Sequence, residues 1–307
     1  MKRIFVTGDT HGMIDFSKLV IFARQKKLDR SDYIIICGDC GVLWDEESKE
    51  DYINAYDSIG ATILFVDGNH ENHDMLSRAL NIEWWHGGKV HKISNYIYHL
   101  QRGEIFFLYG KSFLALGGAD SHDKSFRKEN ESWWAKESIT NENISNALAH
   151  LSNNDNYVDY VISHCPPNKI LQDIENEFTQ CGEEVPYYIA PKLMPENSNL
   201  KLDVVAENIN FRKWFFGHLH TKIQIDNYYG LYEEIVEITD DHNVVLSSDK
   251  DTLERVKTQM LDALENMLDE KTEQISHTTK NGKINKNSSF NKTCKNETLT
   301  KKINSTK

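Results

Sequence analysis

Apolar residues in this chain gather in short runs that stop at glycine or at a histidine. Arg3-Ile4-Phe5-Val6-Thr7 leads into Gly8-Asp9-Thr10-His11-Gly12, Tyr33-Ile34-Ile35-Ile36-Cys37 into Gly38-Asp39, and Thr62-Ile63-Leu64-Phe65-Val66 into Gly68-Asn69-His70-Glu71. Tyr160-Val161-Ile162-Ser163 ends at His164, and Trp214-Phe215-Phe216 at Gly217-His218-Leu219-His220. Unalternating β-branched and aromatic runs of this length predict buried strands of a mostly parallel sheet. Between them, Asp15 to Lys27 sets Phe16, Leu19, Val20 and Ala23 on one side, and Asp51 to Ile59 does the same with Tyr52, Ala55, Tyr56 and Ile59, which predicts covering helices. Residues 96 to 117 predict two or three antiparallel strands turning at Tyr109-Gly110-Lys111-Ser112, and residues 222–226 and 231–238 a terminal meander. The fold class is α/β.

The polar residues that end these runs carry the chemistry. Sheets of this kind bind ligands beyond the carboxyl ends of their strands, so the chain aims its Asp, Asn and His residues at one place. Side chains two apart in an extended segment point the same way, so Asp9 and His11 can grip one ion together, with one member of the pair His218 and His220. Seven candidate ligands, Asp9, His11, Asp39, Asn69, His164, His218 and His220, exceed the needs of one tetrahedral ion and suit two adjacent ones. Asp39 is the natural bridge, because a carboxylate has two oxygens to share.

With these residues in view, the sequence resembles the calcineurin-like metallophosphoesterase superfamily. Its marks are GDxH, GD, GNHE, a lone strand-end His, and GHxH, and all five stand in order across residues 8 to 220. The resemblance implies a four-layer α/β/β/α metallophosphoesterase sandwich with metal ligands at the C-terminal ends of strands. It also implies that Asp9, His11, Asp39 and His220 hold one ion, that Asp39, Asn69, His164 and His218 hold the other, and that His70 is a catalytic histidine outside the ligand set.

Phosphoester hydrolysis needs such an arrangement for reasons independent of any family. Two divalent ions about 3.5 to 4 Å apart bring the pKa of a shared water near neutrality and clamp the attacking and leaving oxygens of an in-line displacement. The expected reaction is attack of a metal-bridging hydroxide on a small phosphomonoester or phosphodiester, with His70 protonating the departing alkoxide or bonding the phosphate. Imidazole, carboxylate and amide ligands without thiolate suit manganese, with iron, zinc, nickel or cobalt as alternatives. Ser/Thr protein phosphatases of the superfamily carry an acid and an arginine in the pattern GDxVDRG, whereas here Val42 and Leu43 occupy those positions. That departure argues against a phosphoprotein substrate and leaves open whether Asp45 or Glu71 supports His70.

A group of small bacterial and phage metallophosphoesterases is a closer match, with segments like GGKVHKI and GGASSHD. This chain has Gly87-Gly88-Lys89-Val90-His91-Lys92-Ile93, Gly117-Gly118-Ala119-Asp120-Ser121-His122-Asp123, and Trp133-Trp134 with Glu137, so the resemblance covers residues 1 to about 240. Ser121, Asp123 and Arg127 are the candidate substrate contacts, Arg127 because a planar bidentate donor fits phosphate. The plain alternative is a surface loop whose tryptophans pack and begin a helix running through Glu137. The polar insert from Asn168 to Asn208 is a lid or a helical excursion, and His73, His86, His91, His99, His150 and His242 read as surface or packing residues.

Composition changes this picture at its edges. With 307 residues, 39% of them hydrophobic, the chain can build one sizeable core. Five cysteines without a secretion signal, and no apolar stretch of about 20 residues, point to a cytoplasmic protein with free thiols and no membrane association. Cys37 and Cys40 form a CxxC, but no second pair completes a zinc site. Residues 271–307 hold nine Lys against two Glu, a net of +7, which leaves −19 on the remainder. An acidic body is a poor polyanion binder, so small phosphoesters suit it better than long nucleic acid, and contact of the basic tail with nucleic acid is the alternative to simple solvation.

Three segments follow: a catalytic domain over 1–246, an amphipathic helix over 247–270 with Leu253, Val256, Met260, Leu264 and Met267 at helical spacing, and a disordered basic tail over 271–307. The helix docks on its own domain or drives homo-oligomerisation. Two function classes compete with the small-phosphoester hydrolase: a nuclease or cyclic-nucleotide phosphodiesterase, and a catalytically silent scaffold of the same fold.

Overall fold

The computed structural model describes residues 2–78, 82–249, 251–256 and 258–259, and residues 1–257 make one compact unit. Along the chain run β1 (Ile4–Thr7), α1 (Ser17–Lys26), β2 (Tyr33–Ile36), α2 (Lys49–Ser58), β3 (Thr62–Phe65) and α3 (His73–Arg78). Next come β4 (Ile82–Trp85), β5 (Gly88–Lys92), β6 (Ile97–Leu100), β7 (Ile105–Leu108), β8 (Lys111–Leu116), α4 (Asn141–Ser152) and β9 (Tyr157–Ser163). The series closes with α5 (Asn168–Cys181), α6 (Asn197–Ala206), β10 (Asn210–Phe216), β11 (Ile223–Ile225), β12 (Tyr228–Gly230), β13 (Ile235–Ile238) and β14 (Val244–Ser248).

These strands form two sheets. The first has the order β14-β13-β1-β2-β3-β6-β5-β4 and the second β11-β12-β10-β9-β8-β7. Parallel pairing holds the middle of each, with Val6 opposite Ile35, Ile35 opposite Leu64, and Val161 opposite both Leu114 and Trp214. Antiparallel strands finish both flanks.

Three layers of apolar side chains explain why the central runs do not alternate with polar residues. Phe5, Ile34, Ile36, Ile63 and Phe65 pack outward against Leu19, Phe22, Tyr56 and Leu76 of α1, α2 and α3. Val6, Ile35 and Leu64 face Phe113, Tyr160, Ile162 and Phe215 across the space between the sheets. Leu114, Val161, Trp214 and Phe216 then bury Ile144, Leu151, Ile170, Leu202 and Val205 of α4, α5 and α6. Each strand is covered on both faces, so every position gains from being apolar, at roughly 1.5–3 kcal/mol per large side chain buried. The result is an α/β/β/α sandwich.

The five motif strands, expected in one sheet, do not share one: β1, β2 and β3 lie in the first and β9 and β10 in the second. An apolar run records that both faces are covered but not by what. Residues 97–116 differ in a similar way, because β6 joins the first sheet in parallel with β3 while β7 and β8 make a hairpin in the second. The helix expected from Trp133 through Glu137 is a single 3-10 turn over Ala135–Glu137, with Trp134 buried beside it. At the C-terminus residues 251–256 are helical and Leu253 is buried, while the rest of the expected helix past 259 and the basic tail lie outside the described residues.

Candidate metal centre

The ends of β1, β2, β3, β9 and β10 meet at one edge of the sandwich, and tight backbone approaches bring them there. A Cβ on Gly38, whose φ is +87°, would sit 2.2 Å from His164 Nδ1, and one on Gly68 would sit 2.1 Å from Asp39 Oδ1. Only glycine lets these turns close. His11, Asp39, His218 and His220 are themselves left-handed, with φ of 45°, 48°, 63° and 52°. Such conformations cost a non-glycine residue on the order of 1–3 kcal/mol each and persist where the surroundings enforce them, commonly at functional sites.

All seven candidate ligands are brought together. Asp9, His11, Asp39 and His220 each offer one atom, and these atoms lie within 4.8 Å of one another. Asp39 Oδ2 stands 3.5 Å from His11 Nε2 and 3.2 Å from His164 Nε2. His164 Nε2 is in turn 3.1 Å from Asn69 Oδ1 and 3.2 Å from His218 Nδ1. Asp39 thus belongs to both halves of the cluster.

Hydrogen bonds behind the cluster fix which atoms face inward. His11 Nδ1 donates to Asp15 Oδ2 at 2.7 Å and His164 Nδ1 to the Cys37 carbonyl at 2.8 Å, since both partners are acceptors only. Each ring therefore turns its Nε2 toward the carboxylates, the arrangement by which outer partners orient metal-ligating imidazoles. Asn69 is oriented likewise: its amide nitrogen donates to Ser121 Oγ at 3.1 Å, and Ser121 donates to the buried Glu137 at 3.0 Å. That leaves the amide oxygen for His164. Lys18, also buried, donates to the carbonyls of Gly8 and Asp9 at 3.0 and 2.6 Å and so anchors the turn after β1.

The electrostatics call for positive charge inside the cluster. Asp9 Oδ2 is buried without a hydrogen bond, 2.9 Å from His220 Nε2. Burial raises the Asp9 and Asp39 pKa values, but the His164 charge and the neighbouring imidazoles outweigh it and hold both below the usual carboxylate range. Burial likewise lowers His11 and His164, yet Asp15 and Asp39 lift His11 to about 10, and Asp39 and Asp9 lift His164 to about 9. A divalent cation meets the same demand, and the carboxylate, amide and imidazole set without thiolate suits one. The residues fit a bound metal.

His70 sits at the rim. Its backbone N–H donates to Asp39 Oδ1 at 2.7 Å, and burial pushes its ring to about 4 against the pull of Asp39. Arg127 lies along the ring, with Nη1 3.1 Å from Nδ1 and Nη2 3.1 Å from Nε2. A neutral imidazole accepts at only one nitrogen, so one of these contacts is a hydrogen bond and the other is proximity. Asp123 fixes the guanidinium through Nε at 2.8 Å.

Neither acid considered for supporting His70 does so: Asp45 is exposed and bonds Ser48, while Glu71 is buried and accepts from Cys40 N and Gly41 N. Ser121 stands behind Asn69 with 3% exposure. Four participants escaped the sequence reading: Asp15, Lys18, the Cys37 carbonyl, and Lys192, which donates to the His218 carbonyl from the insert between α5 and α6.

A second buried network secures the loop that carries Asn69 and His70. Asp67, 2% exposed, binds Arg102 through Nε at 3.0 Å and through Nη2, and accepts from His99 at 3.2 Å. Arg102 Nη1 and Nη2 reach on to the carbonyls of Ser138 and Glu137 at 2.8 and 2.9 Å. Breaking a buried pair strands its partner's charge, so Asp67→Ala should cost about 3–5 kcal/mol of stability. A shift in the urea midpoint measures it; an unmoved midpoint would show that the network is not structural.

A family model described as calcineurin-like phosphoesterase matches residues 2–222. Among solved structures, TT1561 of Thermus thermophilus aligns at 11% identity with a TM-score of 0.44, covering 80% of this chain and 97% of that one. The Thermus thermophilus sulfate thiohydrolase SoxB, solved in complex with glycerol, aligns at 9% identity with a TM-score of 0.41, covering 86% of this chain and 61% of that one. No curated protein matches the sequence.

Proposed function

This chain belongs to the calcineurin-like phosphoesterase family, and from that premise we propose that it is a dinuclear metal-dependent phosphohydrolase of a small phosphomonoester or phosphodiester. The observation that carries the reading is the position of Asp39, whose Oδ2 lies 3.5 Å from one inward-facing imidazole nitrogen and 3.2 Å from another. Asp9, His11, Asp39 and His220 would hold one ion, and Asp39, Asn69, His164 and His218 the other. When bound, the two ions supply a nucleophile at neutral pH and neutralise charge at the phosphoryl oxygens. Manganese is the metal we expect.

The remaining steps fall to side chains. His70, beside Asp39 yet outside both ligand sets and kept neutral by its burial, gives an N–H hydrogen bond to the leaving-group oxygen. Arg127, held by Asp123 and by the Ser132 carbonyl, has an Nη2 hydrogen left for a phosphoryl oxygen. It supplies from a distant loop the guanidinium that Leu43 lacks. Ser121 and Glu137 keep the Asn69 oxygen aimed inward, and the sandwich closes around Asp9, Asp39, Asn69, His164 and His218, all buried, so that water is excluded from their far sides.

Among the described residues no helix is long and apolar enough to cross a membrane. Cys37, Cys40 and Cys165 are buried free thiols, which supports our assignment to the cytoplasm. Manganese-loaded protein should hydrolyse p-nitrophenyl phosphate or bis-p-nitrophenyl phosphate, and a chelator should abolish the reaction. The preferred ester separates monoesterase from diesterase. Absence of turnover of both, and of nucleotides, would instead favour a silent scaffold.

A further inference from the structure

Next to the metal cluster lies a recess of about 440 Å³ whose wall is mainly apolar, built by Met13, Ile14, Trp44 and Tyr52 and opening on His11 and His70. Its size falls within the range of small-molecule sites. The His11 and His70 rings meet edge to face at 5.7 Å and form the boundary with the cluster, so a group in the recess adjoins the reacting phosphate. Ile14 is 80% exposed and Met13 43%, which leaves large apolar side chains wet at the mouth.

The walls are prebuilt. Trp44 packs edge to face on Trp134 at 6.0 Å, and its carbonyl accepts from Asn72 at 2.7 Å. Tyr52 approaches so closely that a Cβ on Gly12 would lie 2.9 Å from its ring. Apart from the two histidines, no side chain in the wall carries charge. A second phosphate would lose its water there with little compensation from the wall, whereas an uncharged ring would exchange water for aromatic and aliphatic contact.

We propose that this recess seats the leaving group and that the substrate is a phosphoester whose alcohol bears a flat aromatic ring. The inference rests on the phosphohydrolase reading, because the metal cluster sets where the phosphate lies. A nucleobase and a simple aryl group share this chemistry, and the test distinguishes them.

Full-length, manganese-loaded protein is titrated calorimetrically with benzylphosphonate and with ethylphosphonate, and turnover of benzyl phosphate is compared with that of ethyl phosphate, whose alkoxides differ little in basicity. Burying one ring should favour the benzyl compounds about tenfold or more in both Kd and kcat/KM. Trp44→Ala and the surface change Ile14→Ser should each narrow both ratios while metal content stays constant. A comparable preference for adenosine 5′-monophosphate over ribose 5-phosphate assigns the ring to a nucleobase; its absence beside a benzyl preference assigns an aryl alcohol. Equal binding and turnover of benzyl and ethyl compounds would overturn the recess as a leaving-group site and leave the phosphohydrolase reading standing. Preferential binding of benzylphosphonate without turnover of any ester would support the recess and refute the reaction.

Discussion

Asp39→Asn should reduce hydrolysis below detection and lower the metal content of the purified protein. The carboxylate is 1% exposed, lies against imidazoles from the end of β9 and from the turn after β1, and accepts the His70 backbone N–H through its other oxygen. An amide keeps one oxygen but presents an NH2 group to His11 or His164 and removes the charge that both ions would share. Metal ions contribute several kcal/mol to the transition state, and each 1.36 kcal/mol is tenfold, so kcat/KM should fall by on the order of 10³ or more. Elemental analysis beside p-nitrophenyl ester kinetics makes the check. Activity within tenfold of wild type would remove Asp39 from the bridging role.

His70→Ala should give the second-largest loss, with a different signature. Its ring belongs to neither ligand set, so metal content and thermal midpoint should stay near wild type while kcat drops. Removing one preorganised hydrogen-bond donor to developing charge costs roughly 10²–10³-fold, which sets the expected size of the loss. Esters with good leaving groups should lose less than alkyl esters, because their departing oxygen carries charge that needs the donor less. An unchanged kcat for an alkyl ester, or loss of metal together with activity, would contradict the assigned role.

The α/β class and the convergence of the candidate ligands were legible in the sequence, while the assignment of strands to sheets was not, for a physical reason. Strands buried on both faces stand out as apolar runs, and ligands at their ends stand out because Asp9 and His11, or His218 and His220, are two apart after a glycine. Which sheet a run joins depends on partners far away in sequence, so β3 and β9 look alike although they lie in different sheets. Strands β4 and β5 went unread because β4 is an exposed edge with Ile82 and Trp84 in solvent.

Positioning groups were harder still. Asp15 follows His11 by four residues and carried a faint signal, but the Cys37 carbonyl is backbone and carried none. Arg127 reaches His70 across 57 residues, and nothing local marks that contact. The missing acid and arginine after Asp39 were visible as an absence.

A carboxylate shared between two ions is the feature on which the proposed chemistry depends, and the electron paramagnetic resonance spectrum of manganese-loaded protein tests it most directly. Two manganese ions per chain with an exchange-coupled signal, converted by Asp39→Asn to a weak uncoupled one, is the predicted result. A single uncoupled ion in the wild-type protein, with full hydrolytic activity, would contradict it.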